Sequence, residues 1–247
     1  MKSLLLLAIA LLALPASAAN KQAADSLYAH QQYAAAAQAY KALLAQTPHS
    51  PQLLYNLGNA YYKQDSIAQA ILCYERAHIL APADKDIQAN LNFVRTKIQD
   101  KPLPDGEFFF VTWFKQLAHL TGISQWTTIA IISFVLLLIA AAAYILLHSI
   151  TLRRIGFYAA IALLILCIFA NVALLIQHHE RNAHTHAILM APAVSVQSSP
   201  SKESTKLFLI HNGTKVKILD DTIDQWLEIY YEEGKQGWVP ATNFEII

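Results

Sequence analysis

Cysteine is nearly absent from this chain, since Cys73 and Cys167 are the two it has in 247 residues and neither belongs to a CxxC pair. Cys167 lies inside a long apolar run and Cys73 in a polar-flanked segment well before it. The two cannot pair, and a disulfide framework, a dithiol redox centre and a thiolate metal site are all disfavoured. Glycine is also scarce, at 7 residues, and none forms a phosphate-cradling loop. Charged residues make up 14% of the chain with a formal net charge of +1, so there is no basic patch for nucleic acid. No serine-histidine-acid pattern is present either. No cofactor is expected.

Apolar residues are what the chain has in excess: 55% of it, with a mean hydropathy of +0.32. Ordinary cores do not need so much, and the surplus is concentrated in three runs. The first, within residues 1–19, has Lys2, an unbroken apolar stretch from Leu4 to Leu14, Pro15 and then Ala16-Ser17-Ala18. That reads as a secretory signal with a small-x-small cleavage site, the rival reading being a short uncleaved anchor. No cysteine follows it, which argues against a lipoprotein.

The other two runs, 126–148 and 155–177, contain no Asp, Glu, Lys or Arg. As helices of 23 residues each they rise about 35 Å, against a hydrocarbon core of about 30 Å. Both are expected to span, with Trp126, Tyr144 and Tyr158 near the interfaces and Asn171 bridging the two helices. The loop 149–154 carries Arg153 and Arg154 and is expected on the cytoplasmic side. Export of the preceding segment and two crossings then place residues 20–125 and the C-terminal part in one extracytoplasmic compartment, at a bacterial inner membrane. Residues 101–125 form a proline-containing linker and an aromatic segment (Phe108, Phe109, Phe110, Trp113, Phe114, Leu117, Leu120) suited to the headgroup layer. A partner-binding helix is its alternative.

Within residues 20–100 the spacing Leu54-x2-Leu57-Gly58-x2-Tyr61, then Ala70-x3-Tyr74, Ala77 and Pro82, resembles the tetratricopeptide (TPR) repeat, with Leu54 where tryptophan is usual. Ala36, Tyr40 and Pro48 precede Ala70, Tyr74 and Pro82 by the repeat length of 34 residues. Two repeats are therefore expected, the first of them degenerate. A capping helix over 86–99 follows, with Ile87, Leu91, Val94 and Ile98 on one face. So short an array is expected to be only moderately stable alone. The resemblance implies protein partners on the concave face, where Gln52, Tyr55, Asn59, Tyr62 and Lys63 would share a stripe on the first helix of the second repeat. There Asn59 would bond a peptide backbone and Lys63 an acidic side chain or terminal carboxylate.

Beyond a juxtamembrane linker at 178–186, the pattern changes to period two. Val216 and Ile218 alternate with lysines, and Leu227, Ile229 and Tyr231 with Trp226, Glu228 and Tyr230. Asn212-Gly213 and Glu233-Gly234 supply turns. With Gly237-Trp238-Val239-Pro240 and Asn243-Phe244, residues 187–247 resemble a bacterial SH3 domain, complete enough to fold by itself. The resemblance implies a ligand groove at Trp226, Pro240 and Phe244, although Ala191 to Ser201 offers no matching aromatic-acidic wall. The alternative is that Trp226 and Trp238 pack the barrel. His178, His179, His184 and His186 cluster near the second span, but no carboxylate or cysteine set completes a metal site.

The expected fold is thus a multi-module membrane protein: an all-α TPR helical repeat unit, a two-helix transmembrane hairpin and a small all-β SH3-like barrel. In that order the modules resemble the BatE-like family of aerotolerance-operon membrane proteins. That resemblance implies a non-enzymatic adaptor acting beside membrane proteins with von Willebrand factor A domains. The alternative is an envelope sensor whose SH3 domain binds cell-wall material.

Overall fold

The computed structural model describes residues 16–100, 109–182, 185–232 and 235–247. The expected signal sequence as far as Pro15, part of the expected linker, His184 and the expected turn at Glu233-Gly234 lie outside the described residues. Two compact units result, one holding helices α1 to α5 with the whole β-sheet and the other holding α6 to α8.

In the first unit α1 (Ala16–Ala29) and α2 (Tyr33–Gln46) form one hairpin, and α3 (Pro51–Lys63) and α4 (Ile67–Leu80) the next. The start of α3 is fixed by Ser50, whose hydroxyl accepts from the Leu53 amide at 3.3 Å, and by Pro51 in the first turn. Each hairpin turns on a residue in the left-handed region, Gln31 (φ 62°) and Asp65 (φ 57°), again one repeat length apart. Ala24 takes the position in the first repeat that Gly58 takes in the second, and both are fully packed. At Gly58 a Cβ would come within 2.7 Å of the Tyr74 ring, which is why the second repeat needs glycine there. The capping helix α5 (Lys85–Arg95) starts at Asp84, whose carboxylate accepts from the Asp86 and Ile87 amides. It buries Ile87, Leu91 and Val94.

The strands β1 (His186–Leu189), β2 (Ala193–Gln197), β3 (Lys206–His211), β4 (Lys215–Asp220), β5 (Trp226–Glu232), β6 (Lys235–Pro240) and β7 (Phe244–Ile246) make an antiparallel sheet in the order β3-β2-β6-β5-β4-β1-β7. Its core holds Leu189, Val196, Ile210, Val216, Leu227, Ile229, Val239 and Phe244. Neither Trp226 nor Trp238 belongs to it, so the reading in which both tryptophans pack the barrel is not what the fold adopts. Alternation along β5 and β6 turns the two rings outward, where Trp226 lies opposite Pro240 and Trp238 opposite Glu228.

The sheet is not an independent body. Ile188 of β1, fully buried, belongs to a core with Ala68, Ile71 and Leu72 of α4, Leu91 and Val94 of α5, and Ile98, flanked by Met190 and Ile247. Gly213, at φ +84°, lies so close that a Cβ would be 2.7 Å from Ile98 Cγ2 and 3.1 Å from Ile71 Cδ1. The strands of the sheet lie within residues 186–247, and the sheet shares this core with the helical repeats. Its β1 and its β3–β4 turn pack on α4, α5 and Ile98.

In the second unit, α6 (Phe109–Ala118) precedes the long apolar helices α7 (Ile123–Leu146) and α8 (Ile150–Asn182). Both long helices have a peak mean hydropathy of 2.9 over an 18-residue window and are long enough to cross a bilayer. The break between them is shorter than the loop read from charge. Arg153 and Arg154 already lie in α8, where the Arg153 Nε donates to the Tyr144 carbonyl at 3.2 Å and its guanidinium stacks on the Tyr144 ring. Gly156 permits the tight approach, since a Cβ there would be 3.2 Å from the Ala140 carbonyl. Asn171 does not bridge the helices; its amide donates to the Cys167 carbonyl of its own helix at 2.8 Å. Trp126 is buried against Ala118 rather than facing outward.

Candidate functional site

A groove of about 320 Å³ opens on the α1, α3 and α5 side of the repeat array. Four of the five residues expected on the α3 stripe line it: Tyr55, Asn59, Tyr62 and Lys63. Gln52 is exposed but is not among them. The walls are completed by Tyr28, Tyr74, Asn90, Phe93 and Val94. Tyr55 and Tyr74 lie 5.9 Å apart between ring centroids, and Tyr62 meets Phe93 edge to face at 5.7 Å. No carboxylate is among the lining residues. Lys63 at the rim is exposed, and Lys97 lies over Phe93 at 5.1 Å. An aromatic trough with a cationic edge suits an extended, apolar and acidic segment.

Beneath the groove runs a ladder of hydrogen bonds that the sequence reading missed. The Tyr40 hydroxyl donates to Asp25 at 2.7 Å and Asn56 donates to the same oxygen at 3.4 Å. One repeat later the Tyr74 hydroxyl donates to Asn59 Oδ1 at 2.6 Å and Asn90 Nδ2 donates to it at 3.0 Å. The offsets of 15 and 31 residues are identical in the two rungs. Pairs at a separation of 34, Asp25 with Asn59 and Asn56 with Asn90, were the available signal. Asn59 is therefore half structural: its oxygen is saturated, while its Nδ2 has no acceptor among the described residues. Burial pushes the Tyr74 hydroxyl pKa up, so it stays a donor. Burial alone would raise the Asp25 pKa, but the bonds from Lys21 and Tyr40 outweigh it and hold the carboxyl low.

The back of the array is tied to the sheet by charge. Glu75 is 2% exposed and accepts from both Arg95 of α5 and Lys215 of β4, the latter at 3.0 Å. Burial would raise its pKa, but Lys215 and Arg95 more than offset this and hold it down at about 2. Asp100 accepts from the His211 amide, His211 Nδ1 and the Thr214 hydroxyl, the last at 2.8 Å. These bonds outweigh the upward push of burial and lower its pKa. Arg76 donates to the Ile246 carbonyl at 2.5 Å.

On the sheet, Trp226 and Pro240 stand opposite each other and are half-buried, whereas Phe244 is 9% exposed and belongs to the core. Phe244 is thus a packing residue, and the outward wall is made by Trp226, Pro240 and Trp238. His178 and His179 are exposed near the end of α8, and His186 lies on β1. Among the described residues no group of three or more His, Cys, Asp or Glu side chains could hold a metal ion. Cys73 is buried, which pushes its thiol up to about 12 and makes it unreactive.

The fold is modular: TPR-like repeats and an SH3-like sheet accompany two helices long and apolar enough to cross a membrane. Residues 21–85 match the tetratricopeptide repeat family and residues 192–245 match the bacterial SH3 domain family. Both are families of binding modules rather than of catalysts. No curated protein matches the chain.

Proposed function

We propose that this chain is a non-enzymatic, membrane-anchored adaptor that gathers protein partners through its TPR groove on the extracytoplasmic side of a bacterial inner membrane. The groove carries the reading: aromatic walls, an amide donor at Asn59 and an exposed cation at Lys63 match an extended acidic segment. Module order adds the BatE-like resemblance, and with it an aerotolerance or envelope-stress complex whose partners include membrane proteins with von Willebrand factor A domains. The contact between repeats and sheet favours the topology, because segments before and after the hairpin must share a compartment to form one core. Replacing Lys63 by Glu in the full-length protein, solubilised from native membranes, should abolish co-purification of a groove partner, while Gln52→Ala should not. Equal recovery of every partner with both variants would remove the groove from the account.

A second reading rests on the outward Trp226, Pro240 and Trp238, which present flat rings to a ligand such as wall glycan. Sedimentation with purified cell wall, lost on Trp226→Ala, would support it.

A further inference from the structure

We propose that α6 is a half-membrane helix: it stands upright beside α8 within one leaflet and presents Phe110, Val111 and Trp113 to lipid acyl chains. The aromatic segment was expected in the headgroup layer, and three contacts with α8 favour an upright arrangement instead. Phe114 packs edge to face on Phe169 at 5.1 Å, Ala118 receives the Gln177 amide on its carbonyl at 2.6 Å, and His119 meets Glu180 at 2.7 Å. Moving up α6 moves up α8, so the two run side by side in the same direction. A helix lying flat would touch α8 at a single level.

The polar pair His119–Glu180 marks the water side, and the 10 residues of α6 extend about 15 Å from it, half of a hydrocarbon core of about 30 Å. The Ala118 carbonyl, unpaired within its own helix end, accepts from both Trp126 Nε1 at 2.7 Å and Gln177 Nε2, which also donates to Thr121. Phe110 at 77% and Trp113 at 51% exposure are continuous in depth with the outward apolar surface of α7 and α8. Acyl chains are the occupant that continuity requires.

This inference rests on the α7–α8 hairpin crossing the bilayer, so the experiment checks both. In a Cys167→Ala background, with Cys73 buried and unreactive, nitroxide labels at Phe110→Cys, Trp113→Cys and Leu120→Cys are measured in phosphatidylcholine–phosphatidylglycerol vesicles. Collision with oxygen against a water-soluble nickel chelate gives depth. Immersion should decrease from 110 through 113 to 120, by about 1.5 Å per residue along the helix. Equal depth at 110 and 113 restores the flat helix and overturns the proposal, as does ready collision of both labels with nickel. Phe134→Cys, midway along α7 and exposed, should be deepest of all. If it is accessible to nickel, the membrane reading fails first.

Discussion

Asn59 and Lys63 share the groove but differ in what holds them, and their substitutions should separate. Asn59→Ala leaves the buried Tyr74 hydroxyl and the Asn90 amide without their shared acceptor, and should destabilise the helical unit by about 1–3 kcal/mol. Lys63→Ala removes an exposed side chain and should change stability by less than about 0.5 kcal/mol. Urea titration of the detergent-solubilised protein checks both, and equal effects would mean that the ladder bears no load. Trp238, half-buried on the outer face, should lose less on truncation than the roughly 3–5 kcal/mol of a buried large aromatic. The sequence pattern could place Tyr55, Asn59, Tyr62 and Lys63 on a stripe because helical spacing is local. The Asn59–Asn90 bond is made between repeats, and its trace in the sequence is only the recurrence of Asp25 with Asn59 and Asn56 with Asn90 at the repeat length.

Between elements, the most confined contact is that of the β3–β4 turn with α4 and the segment after α5. Gly213→Ala puts a Cβ into Ile98 and Ile71 at a residue whose φ of +84° already disfavours L side chains. It should loosen the sheet from the helices, seen as faster amide hydrogen exchange in α5 with α1 and α2 unchanged. Unchanged exchange throughout would place the turn elsewhere. The elements themselves were largely legible: helix periodicity gave α3 to α5, hydropathy the two long helices, and alternation β4 and β5. The start of the second long helix was not, because arginine is a good helix former and α8 simply includes Arg153 and Arg154. For topology, alkaline phosphatase fused after residue 105 or at the C-terminus should be active, and fused at Thr151 inactive. The reverse pattern would invert the orientation.

For the whole molecule, the consequence of a shared core is shared stability. Helical repeats and sheet should unfold in one transition, and residues 187–247 alone should melt below the intact protein, since Ile188 would then be exposed. Two separated transitions would contradict this. The buried Glu75 adds a pH dependence of defined sign. Its carboxyl is held at about 2, well below its ordinary value near 4.5. It therefore contributes stability that is full above about 4.5 and is lost as the pH falls towards about 2, and Lys215→Met should flatten this acid limb. None of this junction was legible in sequence, because Glu75 and Lys215 are 140 residues apart and each reads as an ordinary surface charge. What the molecule does with the assembled unit is tested most directly by a photo-crosslinking residue placed in turn at Lys63, Gln52 and Trp226 in cells. The account predicts discrete protein adducts from Lys63 and none from Gln52; adducts from Gln52 with none from Lys63 would contradict it.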